Sequence, residues 1–153
     1  MKTIFTAAIM VILSSVIMSG QQVNPNYDST LAKTLGADKY GMKMYVMVIL
    51  KTGSNNVQDK ATRDSLFAGH QKNIRKLAGM KKLIVAGPFS ENDRSYRGIF
   101  ILDVRSFEEA KTLLSADPTI KEKIFEPEFF HWYGSAALPE YMPVYDKIWK
   151  INP

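Results

Sequence analysis

The sequence predicts an α+β fold on a four-stranded antiparallel sheet, in the order strand, helix, strand, strand, helix, strand. Three observations predict it. Runs dense in apolar residues begin near positions 42, 82, 96 and 125, each bounded by turn or breaker residues. Segments with apolar side chains at helical spacing separate the first run from the second and the third from the fourth. The 153 residues are 46% hydrophobic and 23% charged, which suits a single globular domain with a packed core rather than a disordered chain.

Ahead of that domain, Lys2 precedes the apolar stretch Ile4 to Leu13, which continues through Val16-Ile17-Met18 and closes on Ser19, Gly20 and polar Gln21-Gln22. A positive charge, a greasy core and small residues in that order predict a signal peptide over residues 1–20, cut after Gly20, and hence a secreted or periplasmic protein. An uncleaved membrane anchor is the alternative; the shortness of the run and its Thr6, Ser14 and Ser15 weigh against it, so no stable membrane insertion is expected after signal removal. The chain has no cysteine, which excludes a lipid-modified cysteine, disulfides and thiolate metal sites.

Residues 21–40 read as a leader with one short helix, Leu31 to Leu35, capped by Ser29 or Thr30 and ended by Gly36. Met42 to Lys51 is the first strand, apolar on both faces: Met42, Met44, Val46, Val48 and Leu50 on one, Tyr45, Met47 and Ile49 on the other. After a Gly-Ser-Asn-Asn loop, a helix from about residue 59 or 61 to 78 gathers Leu66, His70, Ile74 and Leu77 on one face, with Phe67 beside them. Lys72, Asn73, Arg75 and Lys76 point away, and Gly79 stands as the C-cap glycine.

Lys82 to Gly87 is the second strand, stopped by Pro88, and residues 96 or 97 to 104 are the third. Ser106-Phe107-Glu108-Glu109 reads as a capping box before a helix that buries Ala110, Leu113 and Leu114. Asp117-Pro118 breaks that helix, residues 119–124 form a short helical turn, and Phe125 to Tyr133 is a strongly aromatic last strand. Residues 41–133 thus form a ferredoxin-like βαββαβ unit with both helices on one face of the sheet. The other face is apolar too and needs a cover: a second copy, giving a homodimer through the sheet face, or in part the tail of residues 134–153. In that tail Leu138, Tyr141, Met142, Tyr145, Ile148 and Trp149 have near-helical spacing, interrupted by Pro143, so it is expected to pack as short turns on the domain or the partner.

The net charge is +5, or +4 without Lys2, and its basic residues are dispersed, which argues against a nucleic-acid partner. No GxGxxG, P-loop, HExxH or GxSxG sequence occurs, and no cofactor or metal is expected. Of the two histidines, His70 lies near the centre of the first helix's apolar face, where both ring nitrogens need partners. It reads as a core histidine tied to a carbonyl or as a catalytic group. Asp117 follows Leu113 and Leu114 by one helical turn, so it lies inward. Before Pro118 it is also a good N-cap, and the two roles coexist if one oxygen caps and the other faces His70. Arg63, two helical turns before His70, is a solvated arginine or an anion holder; Gly87-Pro88 is a strand stop or a bend on a pocket rim. His131, among Phe129, Phe130, Trp132 and Tyr133, is a secondary candidate in what reads as core or interface.

His70, the run Leu83-Ile84-Val85-Ala86-Gly87-Pro88 and Ala116-Asp117-Pro118, in this order and spacing, resemble the YCII-related family over roughly residues 44 to 132. The resemblance implies a subunit that pairs into a dimeric α+β barrel, a pocket between helices and sheet, and a His–Asp catalytic pair that carries over to His70 and Asp117. It implies acid–base chemistry on small aromatic or cyclic compounds, and export departs from the mostly cytoplasmic family pattern. Three functions stay open: a cofactor-independent lyase or isomerase in which Asp117 orients His70 as general base, a non-catalytic module that binds a small molecule, and a structural homodimer.

Overall fold

The structure is a computed structural model that describes residues 24–151, so the expected signal peptide and the first residues of the leader lie outside the described residues. Strand β1, Met42–Thr52, takes an inner place in the sheet, with both edges paired, and is mostly buried along its middle. It pairs antiparallel with β3, Tyr96–Leu102, on one side and β4, Phe125–Ser135, on the other. β2, Leu83–Pro88, joins antiparallel to β3, giving the order β2-β3-β1-β4. This is the ferredoxin-like arrangement that the sequence predicts. β4 extends two residues beyond its expected end at Tyr133, since Met42 and Lys43 continue the pairing to Ser135 and Gly134.

The leader helix α1, Ser29–Leu35, is capped by Asp28, one residue before the expected Ser29 or Thr30. The Asp28 carboxylate accepts from the N–H groups of Thr30 and Leu31, meeting two donors that a hydroxyl one position later does not reach. Gly36 ends this helix in the left-handed region, at φ +70°.

Helix α2, Lys60–Gly79, starts at the N-cap Asp59. Its far end departs from expectation. Gly79 is still helical, and Lys81 takes the left-handed position with φ +56°. The Lys82 N–H bonds to the Leu77 carbonyl and the Lys81 N–H to the Ala78 carbonyl, which is the Schellman closure two residues later than predicted. The two extra residues deliver Leu83 into β2 with 2% of its surface exposed.

Helix α3, Phe107–Leu114, opens at Ser106, whose side chain accepts from the Glu109 N–H at 3.1 Å. The Glu109 carboxylate accepts from Lys82 at 2.9 Å, tying this helix to the start of β2. The short helix α4, Pro118–Lys121, follows with Asp117 as its N-cap. On the helix-bearing face, Val46, Val48, Leu50, Phe100 and Leu102 of the sheet meet Leu77 of α2 and Ala110 and Leu114 of α3 in one buried cluster. Fully burying one such side chain is worth about 1.5–3 kcal/mol.

The second face has a partial cover within the chain. Tyr45, Ile84 and Ile101 form a buried cluster there, with Val85, Trp132, Leu138 and Met142 packed against it. The last two belong to the tail, which turns through a 3-10 segment, Leu138–Tyr141, into α5, Met142–Tyr145. Pro143 falls in the first turn of α5, where its missing N–H is tolerated, so it separates two short turns. Among the described residues, no helix is long and apolar enough to cross a membrane.

Candidate functional site

α2 and α4 meet at one point of very close approach. A Cβ built on Gly69 would lie 2.5 Å from Cγ of Pro118, so only glycine lets these two elements come this near. The neighbours of these two residues are His70 and Asp117. The packing of Gly69 on the Pro118 ring sets side by side two groups that lie 47 residues apart in sequence, with His70 Nδ1 at 2.7 Å from Asp117 Oδ2.

The two Asp117 oxygens divide their work. Oδ1 caps α4, accepting from the Thr119 N–H at 3.0 Å and the Thr119 hydroxyl at 2.7 Å. Oδ2 faces His70 and also meets Asn73 Nδ2 at a long 3.4 Å. Burial of the Asp117 carboxyl pushes its pKa up. The hydrogen bonds from His70 and Thr119 and the charge interaction with His70 outweigh this and hold it below the ordinary value of 3.8. An ionised carboxylate only accepts, so the imidazole proton belongs on Nδ1. That Nδ1–H is shared with the Thr119 hydroxyl oxygen at 3.2 Å.

Both hydrogen-bond contacts of the imidazole, with Asp117 and Thr119, are at Nδ1. Among the described residues no fully buried side-chain nitrogen or oxygen lacks a partner, so Nε2 keeps contact with open space. That space is a cavity of about 1100 Å³ between α2, the sheet and the tail, and His70 lines it. Three rings fix the imidazole plane: Phe100 stacks on it at 5.9 Å between centroids, and Phe67 and Phe125 meet it edge-on at 6.3 and 5.5 Å. His70 is 7% exposed and Asp117 0%. The cavity therefore sees the imidazole alone, with the carboxylate sealed behind it. This orientation suits proton transfer through Nε2, with Asp117 fixing the tautomer and able to stabilise an imidazolium.

Residues 44–129 match the YCII-related domain. The chain belongs to that family. A solved structure to which it is similar is 5-chloro-2-hydroxyhydroquinone dehydrochlorinase from Burkholderia phenoliruptrix, in complex with 2,5-dihydroxybenzoquinone; identity is 20%, the match covers 57% of this chain and 92% of that one, and the TM-score is 0.41. No curated protein matches the chain at a significant level.

The YCII-related domain places the other sequence candidates as follows. Arg63, Gly87 and Pro88 all line the His70 cavity, Arg63 from α2 and the other two from the end of β2. His131 does not join them. It is exposed, stacks on Phe107 at 4.2 Å and lines a separate groove of about 480 Å³ with Arg105 and Tyr133. Asn73, expected to point outward, is 7% exposed and turned toward Asp117, because three residues after His70 it shares that face of α2. Asn73 and Thr119 are the positioning residues that the sequence pattern hides. A polar residue between Lys72 and Arg75 reads as solvated, although its i+3 spacing from His70 was available as a signal. Among the described residues no group of three or more His, Cys, Asp and Glu side chains is placed to hold a metal ion.

Proposed function

We propose that this YCII-related protein is a small cofactor-independent enzyme that moves a proton on a small organic molecule held in the α2–sheet cavity. His70 Nε2 is the general base, and Asp117 orients the ring and stabilises its protonated form. The observation that carries this reading is the 2.7 Å pair whose imidazole meets the cavity while its carboxylate is sealed from it. A histidine needed only for packing gains nothing from an open nitrogen. Arg63, Gly87 and Pro88 on the rim contribute to substrate binding.

The test is an NMR screen in D2O of small cyclic and aromatic carbon acids and phenols, scored for solvent-deuterium exchange or loss of a leaving group. Wild-type protein should transform at least one compound, and His70→Ala should lower that rate by about 10²–10⁴ with the fold intact, the usual range for a general base. If compounds that perturb the His70 ring signals are transformed as fast by His70→Ala, or by neither protein, the catalytic reading fails and the cavity is a binding site only.

Pairing of two copies through the second sheet face belongs to the same proposal. Phe130 of β4, on the face of Tyr45 and Trp132, stays 39% exposed. Light scattering that returns the mass of a single chain would remove this part. Export to the periplasm or exterior is likewise proposed from the N-terminal sequence, and fractionation of the native host tests it.

A further inference from the structure

The match to the family ends at residue 129, yet the cavity has a wall that comes later in the chain. Leu138 and Met142 set the tail down on the second face of the sheet, and the Tyr141 hydroxyl donates to the carbonyl of Ile84 in the edge strand β2. The irregular pairing between Leu83 and Val85 lies at this point. Tyr141, Tyr145 and Trp149 of the tail line the same cavity as His70. Tyr141 and Tyr145 meet edge to face at 6.3 Å and 77°. These three rings are 39–42% exposed, whereas the aliphatic Ile148 and Ile151 of the same tail are 72% and 83% exposed. The tail thus adds aromatic surface to a cavity that Phe67, Phe100 and Phe125 also line.

Among the described residues, Arg63 and Arg97 line the cavity together with one carboxylate, Asp146, and with Arg75. Arg97 is held in place by its Nε, which donates to the Thr52 hydroxyl at 2.6 Å. Aromatic walls suit a flat ring system, and guanidinium groups suit a carboxylate or another planar anion. A cavity of about 1100 Å³ has room for more than one ring.

We propose that the C-terminal tail is the specificity-determining wall of this site, and that the ligand it selects is a planar aromatic anion of two or more fused rings. This rests on reading the cavity as a small-molecule site. The rings lie between Tyr145 and Trp149 on one side and the phenylalanines on the other, and the anionic group meets Arg63 and Arg97.

Calorimetry with three probes tests it: 2-naphthoate, decahydro-2-naphthoate with the same charge but puckered rings, and 2-naphthamide with the same rings but no charge. Wild-type protein should bind 2-naphthoate at least tenfold more tightly than either other probe and shift the His70 ring NMR signals on doing so. The double variant Tyr145→Ala/Trp149→Ala alters two partly exposed side chains outside the core clusters. It should weaken 2-naphthoate at least tenfold and leave the saturated acid within about twofold. Arg97→Gln should weaken 2-naphthoate at least fivefold and leave the amide within about twofold. Unchanged affinity and selectivity in the double variant would overturn the tail's role. Equal binding of all three probes by wild type, or binding of none, would overturn the ligand class. Neither result touches the His70 proposal, which the exchange and turnover screen decides separately.

Discussion

Replacing Asp117 by Asn isolates the pair's central feature, because the side-chain shape is kept and only the acceptor facing His70 changes. The amide has one carbonyl oxygen and two sites that want it. At Oδ1, the Thr119 N–H at 3.0 Å and the Thr119 hydroxyl at 2.7 Å both donate; at Oδ2, His70 is the main donor. Keeping the oxygen on the cap satisfies more donors, so the new NH2 group turns to His70. An NH2 cannot accept from Nδ1–H, and the imidazole must shift its proton to Nε2, which makes the cavity-facing nitrogen a donor instead of an acceptor. Hydrogen bonds to charged groups contribute about 1.5–3 kcal/mol. With the cap preserved, the expected loss of stability at pH 7 is about 1–3 kcal/mol, and activity should fall about 10²–10⁴-fold if Nε2 is the base.

Long-range ¹⁵N–¹H NMR of the ring reads the tautomer, and urea unfolding reads the stability. The pH dependence carries a sign. The folded Asp117 pKa lies below 3.8, so its contribution is fully present above the unfolded value near 4 and is lost as pH falls through the lower folded value. The gap between wild type and Asp117→Asn should be constant above about pH 5 and close below it. If the variant keeps Nδ1–H with Nε2 unprotonated, or if unfolding midpoints coincide at pH 7, the assignment of roles to the two carboxylate oxygens is wrong.

Gly69→Ala adds a methyl 2.5 Å from Pro118 Cγ. The helix-propensity gain of about 1 kcal/mol should be matched or exceeded by an overpacking cost of about 1–3 kcal/mol, and activity should drop more than stability because α4 is pushed from His70; unaltered kinetics would show the approach to be irrelevant to the site. Lys81→Gly relieves a left-handed lysine at φ +56° and should raise stability by about 0.5–1 kcal/mol in urea. Tyr45→Phe deletes a buried hydroxyl that donates to the Ser135 carbonyl at 2.8 Å and should cost about 1 kcal/mol. Burial, with Asp103 adding to it, pushes the Tyr45 pKa from 10.0 to about 12, so wild type should lose stability between those pH values and the Phe variant should lose less.

Features that repeat along the chain were readable without coordinates. The doubly apolar β1 announced a sheet that needs a cover on both faces, Asp-Pro after an apolar helix announced a break and a cap, and the spacing from Leu113 and Leu114 placed Asp117 inward. Features created by one element touching another were not. Gly69 looks like an ordinary helix-weakening glycine until Pro118 is set against it. Gly79 obeys the usual rule for a helix end, but the docking of Leu83 into the sheet extends the helix past it and forces a lysine into the left-handed position. Asn73 sits in a run of solvated residues, and its inward turn follows from the carboxylate that α4 brings over it. The tail's apolar spacing was visible, though nothing in it said that one stretch would serve both the second sheet face and the cavity.

The His70–Asp117 pair and the aromatic wall are built by separate parts of the chain. His70 and Asp117 are fixed by helices of the shared domain, within residues 44–129. Tyr145 and Trp149 come from a stretch tethered only after β4 has ended at Ser135. If the pair and the wall act as proposed, substitutions at Tyr145 and Trp149 change which molecule is admitted while the geometry around His70 stays the same.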